Sequence, residues 1–132
     1  DLDADGKPEV IVGRVILDAL GMERGIGKFG TGAAGFSSAS FGADIDGDGK
    51  QEVVVGNALY RVDGSAIWSN GQPDGYPAVA DFDGDGQPEI VVSGGGIVRL
   101  QNAGQQVHGG VVMEVGRKIA DTHAVMNGMM CR

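Results

Sequence analysis

The stretch DIDGDGKQEVVVG, residues 44–56, joins an acidic loop directly to an apolar strand. Its first, third and fifth residues are Asp44, Asp46 and Asp48, a glycine follows at the sixth position, and Glu52 stands at the ninth. Like charges this close repel one another and resist burial unless a positive charge lies among them. The spacing therefore predicts a loop that wraps around a divalent cation and continues into a strand at residues 53–55.

This stretch has two further copies. DLDADGKPEVIVG starts at Asp1 and DFDGDGQPEIVVS at Asp81, which gives spacings of 43 and 37 residues around Asp44. A weaker echo, IAD, occupies residues 119–121, but His123 and Val125 replace the expected aspartates. We therefore predict repeat units at residues 1–38, 39–75 and 76–116, with 117–132 as a degenerate repeat start or a tail.

Each unit divides into about four short strands. In the third unit these are residues 76–80, 89–93, 97–101 and a weak 105–109, and in the second the Asp63-Gly64 pair is a strong hairpin signal. The strands that follow the loops are continuously apolar, so both of their faces must be covered. Repeats of about 40 residues with four strands each are typical of β-propellers. The predicted fold is all-β: a single-domain partial β-propeller over residues 1–132, with about three four-stranded antiparallel blades in an open arc and a degenerate fourth unit.

The loop chemistry favours calcium. This ion takes six to eight oxygen ligands, including carboxylates, backbone carbonyls and water, whereas magnesium prefers to keep its waters. Alternate positions 1, 3 and 5 supply aspartates, the sixth-position glycine allows the bend that aims the carbonyl of position 7, and the ninth-position acid closes the shell. The predicted ligands are Asp1, Asp3, Asp5, Lys7 and Glu9; Asp44, Asp46, Asp48, Lys50 and Glu52; and Asp81, Asp83, Asp85, Gln87 and Glu89.

An EF-hand shares the D-x-D-x-D-G start of these loops. That motif also needs a bidentate glutamate at the twelfth position and a helix on either side. The twelfth residues here are Val12, Val55 and Val92, inside predicted strands. The EF-hand interpretation therefore fails in all three loops.

Charge and composition narrow the function further. Twelve of the 18 acidic residues lie in the loops, which leaves six acidic and ten basic residues elsewhere. The negative charge of the chain is therefore concentrated in the three loops and is not spread over its surface. The net charge of −8 argues against a nucleic-acid partner, and no apolar run approaches the roughly 20 residues that membrane insertion requires. The single cysteine, Cys131, excludes an internal disulfide and a cysteine-based zinc site. No H-E-x-x-H, G-x-S-x-G or P-loop is present, so we predict no catalytic residues.

The sequence GIGKFG at residues 25–30 matches the dinucleotide fingerprint G-x-G-x-x-G. That fingerprint requires a helix to open after the glycines, and the following TGAAGFSSASFG opens no convincing one. A glycine-rich connection between blades is therefore the favoured interpretation.

The three loops, their spacing and the strand after each loop resemble the FG-GAP/VCBS repeat family over about residues 1–105. The resemblance implies an integrin-type β-propeller with calcium held in D-x-D-x-D-G-x-x-D loops by the aspartates and the ninth-position acid. Two departures stand out. The ninth residue is glutamate in every loop, and VGR, VGN and VSG replace the Gly-Ala-Pro that gives the family half its name.

The expected function is a non-catalytic calcium-binding module, with structural calcium, in a larger extracellular or cell-surface protein. Extracellular calcium modules often bind at about 10⁻⁴–10⁻³ M, which would leave them empty in cytosol. By resemblance, the partners would be the remaining blades of the parent protein and a protein or carbohydrate ligand met in adhesion or recognition. The alternative is an accessory propeller of a secreted enzyme, such as a polysaccharide lyase or hydrolase, whose catalytic site lies outside this segment. If the chain begins at Asp1, its α-ammonium lies beside the first ligand position and the strand that would enter this loop is missing. The first loop should then bind calcium more weakly than the loops at Asp44 and Asp81.

Overall fold

The computed structural model describes residues 1–33, 37–82, 84–95, 97–102 and 111–114. All regular structure in these ranges is β-strand, and they contain no candidate membrane-spanning helix. The eleven strands are β1 Val10–Val12, β2 Val15–Leu17, β3 Glu23–Ile26, β4 Phe41–Ala43, β5 Glu52–Val54, β6 Ala58–Tyr60, β7 Ala66–Ser69, β8 Tyr76–Ala80, β9 Glu89–Gly94, β10 Ile97–Asn102 and β11 Val111–Glu114.

The strands form three antiparallel sheets, each a meander of consecutive strands. We call β1-β2-β3 the first blade, β4-β5-β6-β7 the second blade and β8-β9-β10-β11 the third blade. No closed barrel occurs in the described ranges. The all-β prediction is confirmed, and the chain is a partial β-propeller.

The predicted count of four strands per blade holds for the second and third blades. The first blade has three strands among the described residues rather than four. The outermost strand of the third blade is Val111–Glu114, later than the predicted 105–109, which lie outside the described residues together with the predicted degenerate unit at 117–132.

The hydrophobic core lies between blades because alternate residues of β5 point to opposite neighbours. Val53 and the adjoining Val55 pack toward the first blade, in a cluster with Leu2 and Ile16. Val54 packs the other way, in a cluster of the second and third blades that contains Ile45, Leu59, Ile90 and Val92. Burying a side chain of this size contributes roughly 1.5–3 kcal/mol. The continuously apolar strand is thus covered on both faces, as predicted.

The first blade departs from that expectation. Val10 is 50% exposed and Val12 is 58% exposed, whereas Val53 and Val55, at the same positions of the second repeat, are fully buried. The difference arises because, within the described residues, no sheet packs on this face of β1.

The glycine-rich stretch 25–30 packs closely against the second blade. A Cβ at Gly25 would collide with the backbone of Asp63, and one at Gly27 would collide with the ring of Tyr60. Residues 23–26 form strand β3 and open no helix. Only residues 27–30 of the stretch therefore lie in the connection from β3 to β4, and the helix that the dinucleotide fingerprint requires does not follow the glycines in the described residues.

Candidate metal centre

The acidic loops occupy equivalent places in the repeats. The second loop, residues 44–52, joins β4 to β5, and the third, residues 81–89, joins β8 to β9. The first loop, residues 1–9, leads into β1. Each loop therefore leads directly into a strand, which is β1, β5 or β9.

The first two loops bring their aspartates together. One carboxylate oxygen from each of Asp1, Asp3 and Asp5 lies within 4.8 Å of the other two, and the same holds for Asp44, Asp46 and Asp48. All of these residues are exposed except Asp3, which is half-buried. In each of these two loops, the three carboxylates at the predicted positions 1, 3 and 5 thus form a compact group.

The first aspartate organises its loop by accepting backbone hydrogen bonds. Asp44 accepts from Gly47 N–H at 2.7 Å through Oδ1 and from Gly49 N–H at 3.0 Å through Oδ2. Asp1 likewise accepts from Asp5 N–H at 3.0 Å and from Gly6 N–H at 2.8 Å.

The third loop follows the same scheme. Asp81 accepts from Gly84 N–H at 2.6 Å, Asp85 N–H at 3.1 Å and Gly86 N–H at 2.9 Å. The aspartate at its third position, Asp83, lies outside the described residues. In all three loops, the first aspartate thus accepts a hydrogen bond from the N–H of the sixth-position glycine.

The fifth-position aspartate fixes the residue at position 7. Asp5, Asp48 and Asp85 each accept a hydrogen bond of 2.8 Å through Oδ1. The donors are the backbone N–H groups of the predicted carbonyl ligands Lys7, Lys50 and Gln87. These residues are therefore held beside the aspartates, and ligation by their carbonyls stays a prediction.

Left-handed backbone occurs at two positions of each loop. The sixth-position glycines have φ between 85° and 89°, as expected for the sharp bend. The fourth position is also left-handed, with φ 77° at Gly47, 79° at Gly84 and 62° at Ala4. The sequence analysis overlooked the fourth position, although glycine there in two of three loops was a usable signal.

The ninth-position glutamates have a role that the sequence analysis missed. Glu9, Glu52 and Glu89 each accept a hydrogen bond through Oε2 from the N–H of the second loop residue, at 2.6, 2.8 and 2.8 Å. Glu52 and Glu89 are both only 6% exposed. These glutamates close the base of each loop, and their ligation of a metal stays a prediction.

The charge around Glu52 is unfavourable without a cation. Burial raises the pKa of its carboxyl; the hydrogen bond from Ile45 N–H opposes this, and the negative charges of Asp46, Asp48 and Asp44 add to it. Like charges near a buried carboxylate disfavour its ionised form. A cation among the aspartates would remove that penalty.

A positively charged side chain from β3 contacts the first loop. Arg24, on β3, lies 2.7 Å from Asp3 Oδ2 through Nη2 and 3.0 Å from Glu9 Oε1 through Nη1. The hydrogen bond from Arg24 lowers the pKa of the Asp3 carboxyl, against a smaller opposing effect of burial. Arg24 thus joins the third and ninth positions of the loop.

The donor set fits a hard cation. Each loop offers carboxylate oxygens and contains no histidine or cysteine, which suits calcium or magnesium. Within the described residues, Asp3 Oδ1 is buried and has no hydrogen-bond partner, whereas Asp46 Oδ1 accepts one from Asp48 N–H at 3.1 Å. A buried oxygen left without a partner is costly, and a bound cation would satisfy it.

An acidic loop repeated before the core strand of successive antiparallel blades defines a β-propeller repeat protein with candidate cation sites. Residues 44–92 match the family model described as FG-GAP-like repeat. The predicted resemblance to FG-GAP repeats is confirmed for this segment, which runs from the second loop to the strand after the third. Comparisons with curated proteins and with solved structures give no significant match.

Proposed function

We propose that this chain is a non-catalytic β-propeller repeat module that binds calcium in its acidic loops, and that the calcium is structural. The observation that supports the proposal is the grouping of the carboxylate oxygens of Asp44, Asp46 and Asp48 within 4.8 Å, repeated at Asp1, Asp3 and Asp5. Three exposed like charges held together by the backbone are favourable only when a cation lies among them.

Calcium is the favoured cation because of its ligand requirements. It takes six to eight oxygens and accepts irregular geometry, whereas magnesium keeps several waters and demands an octahedral site. The three aspartates of a loop supply part of the shell. The carbonyls of Lys7, Lys50 and Gln87, the ninth-position glutamates and water are proposed to supply the rest.

The expected effect of calcium is to stabilise contacts between blades. The second residue of the first two loops is buried in the core, with Leu2 4% exposed and Ile45 2% exposed. An ion that fixes the loop also fixes the side chain inserted between the sheets. When an ion binds only the folded state and its free concentration is about 100 times its Kd, it stabilises that state by about 2.7 kcal/mol.

We further propose that the module serves adhesion or recognition of a protein or carbohydrate ligand in a larger extracellular or cell-surface protein. Two points support this wider proposal. The FG-GAP-like match at residues 44–92 is one. The other is that extracellular calcium modules in general bind at about 10⁻⁴–10⁻³ M and so fill only where calcium is abundant, as it is outside cells.

The experiment is thermal unfolding of the chain in EGTA, in calcium and in magnesium, together with calcium titration calorimetry. We expect a large upward shift of Tm in calcium, two or three bound ions, and little effect of magnesium. Absence of both calcium binding and stabilisation would overturn the proposal.

A matched pair of variants assigns the effect to a loop. Asp46→Asn with Asp48→Asn removes two charges from the second loop, while the amide oxygens can still accept the loop hydrogen bonds. Asp18→Asn with Asp63→Asn removes two charges from turns outside the loops, where both carboxylates also accept backbone N–H groups. We expect the first pair to lose one bound ion and the second pair to keep all of them. Equal losses in both pairs would mean that net charge, and not the loop, controls binding.

A further inference from the structure

Arg24 occupies an irregular position in the first blade. Strand β3 pairs with β2 through Ile16 with Gly25 and Leu17 with Glu23, and the register shifts between these two pairs. Arg24 lies in that shift as the unpaired residue. Its guanidinium contacts Asp3 and Glu9, at positions 3 and 9 of the first loop.

The second blade has the same irregularity with a different residue. Leu59 and Tyr60, the counterparts of Ile16 and Leu17 when each repeat is numbered from its first aspartate, pair with Trp68 and Ala66 across the same shift. The unpaired residue there is Ile67, which packs against the core cluster between the second and third blades. An isoleucine cannot neutralise Asp46 or Glu52, so the two loops differ in a charge that the fold places at one equivalent position.

We propose that Arg24 is a built-in counter-cation of the first loop, which stabilises that loop without metal and makes it bind calcium more weakly than the second loop. The inference rests on the proposed calcium function and concerns the relative affinity of its sites.

Arg24 and a calcium ion would bind the same carboxylates of the first loop. Arg24 already occupies Asp3 Oδ2 and Glu9 Oε1, and the side chain of Glu9 is only 1% exposed. The pair is therefore shielded from water on one side, where charge interactions are stronger than in bulk solvent. An entering calcium ion either displaces the guanidinium or shares these carboxylates with it against like-charge repulsion, and both routes weaken binding. No ion pair to Asp46 or Asp48 occurs among the described residues, so the second loop has no such competitor.

The test is a site-resolved calcium titration followed by ¹⁵N–¹H NMR. The amides of Gly6, Gly49 and Gly86 donate to the first aspartate of their respective loops, so each reports on one loop. The chain and the Arg24→Ile variant, which places the second blade's residue in the first, are both titrated with calcium chloride after EGTA treatment. The α-ammonium of Asp1, 4.0 Å from Glu9 Oε2, is the same in both proteins.

The proposal predicts that the Gly6 midpoint lies at higher calcium than the Gly49 midpoint. Arg24→Ile should lower the Gly6 midpoint by about three- to tenfold and leave Gly49 unchanged, and Arg24→Lys, which keeps the charge but not the two-pronged contact, should lie between. Thermal unfolding should show Arg24→Ile less stable than the parent chain in EGTA, with the deficit shrinking in calcium. Arg61→Gln is the control because it removes one positive charge from a side chain that forms no ion pair in the described part of the chain.

The outcomes separate the two proposals. If Gly6 and Gly49 both respond to calcium but Arg24→Ile leaves the Gly6 midpoint unchanged or raises it, Arg24 is not a competitor and the inference is overturned while the calcium function stands. A rise would show instead that Arg24 positions the loop for the ion. If neither glycine responds in any folded variant, the calcium function itself is overturned, and the inference with it. An equal shift in Arg61→Gln would reduce the effect to net charge and also overturn the inference.

Discussion

The carboxylate of Glu52 accepts a hydrogen bond of 2.8 Å from the backbone N–H of Ile45, whose side chain is buried between the second and third blades. Ile45 lies between the first two aspartates of the second loop and Glu52 ends that loop, so this bond closes the loop at its base. The same bond joins Glu9 to Leu2 and Glu89 to Phe82. Two carboxylates therefore hold the backbone of each loop: the ninth-position glutamate accepts from the N–H of the second residue, and the first aspartate accepts from the N–H of the sixth.

The first prediction separates the hydrogen bond of Glu52 from its charge. Glu52→Ala leaves the buried N–H of Ile45 without a partner, which costs about 1–3 kcal/mol. Glu52→Gln keeps an acceptor oxygen and removes a negative charge that faces three aspartates. In EGTA, urea unfolding should therefore show the alanine variant less stable by that amount and the glutamine variant close to the parent chain. Equal destabilisation of both variants would show that the charge, rather than the hydrogen bond, holds the loop.

The second prediction concerns Asp74, which joins the segment that follows β3 to the second blade. Its Oδ2 accepts from the N–H groups of Thr31 and Ala33 at 2.6 and 3.1 Å, and its Oδ1 accepts from those of Gly56 and Gly75 at 3.0 and 2.9 Å. Asp74→Ala leaves all four donors without this acceptor, and we expect a loss of about 3 kcal/mol in urea unfolding.

Asp74→Asn is the matched control for this site. The asparagine has one acceptor oxygen in place of two, and its NH₂ group would face N–H donors. Its loss of stability should therefore lie between that of the parent chain and the alanine variant. A loss below about 0.5 kcal/mol in Asp74→Ala, typical of an ordinary surface substitution, would contradict a joining role.

The sequence predicted the loops well because their information is local. The spacing of aspartates, the sixth-position glycine and the strand that follows all lie within 13 residues, as in residues 44–56. Periodic recurrence of that unit predicted the sheets, and the apolar runs predicted that the core lies between them. Local spacing also placed Asp44, Asp46 and Asp48 together correctly.

The contacts that the sequence did not predict join residues far apart in the chain. Asp74 meets Thr31 across 43 residues, and Arg24 meets Asp3 across 21. The contact of Arg24 depends on a register shift between β2 and β3, which no residue pattern indicates. The hydrogen bond from Ile45 N–H to Glu52 was missed for another reason: a ninth-position acid satisfies the metal-ligand pattern and the closing role equally well.

The third prediction concerns the left-handed backbone at the fourth loop position. Gly47 has φ 77° with open space where a Cβ would lie, so Gly47→Ala should cost only the backbone penalty of about 1–2 kcal/mol. Ala4 already bears that penalty at φ 62°. Ala4→Gly removes this penalty, but it also raises the conformational entropy of the unfolded chain, which lowers the stability of the folded state by about 0.4–1 kcal/mol. The net effect on stability should therefore be neutral to slightly stabilising. Urea unfolding of both variants in EGTA measures this asymmetry, and equal losses would contradict it.

The fourth prediction concerns stability at alkaline pH and depends on Tyr60, which is fully buried. Its hydroxyl accepts from Phe29 N–H at 2.9 Å and donates to Gly30 O at 3.1 Å. Burial raises the pKa of Tyr60 above its ordinary value near 10, with the Phe29 hydrogen bond acting in the opposite direction. Because the folded state holds this proton more tightly, the stabilisation is complete below about pH 10 and is lost as pH rises through the folded pKa.

Denaturant unfolding between pH 8 and pH 11 should therefore show a fall in stability that is smaller in Tyr60→Phe, which has no ionisable group there. Tyr76→Phe makes the same change at the other tyrosine of the chain and is the matched control. A Tyr60→Phe profile parallel to that of the parent chain would assign the alkaline loss to other groups.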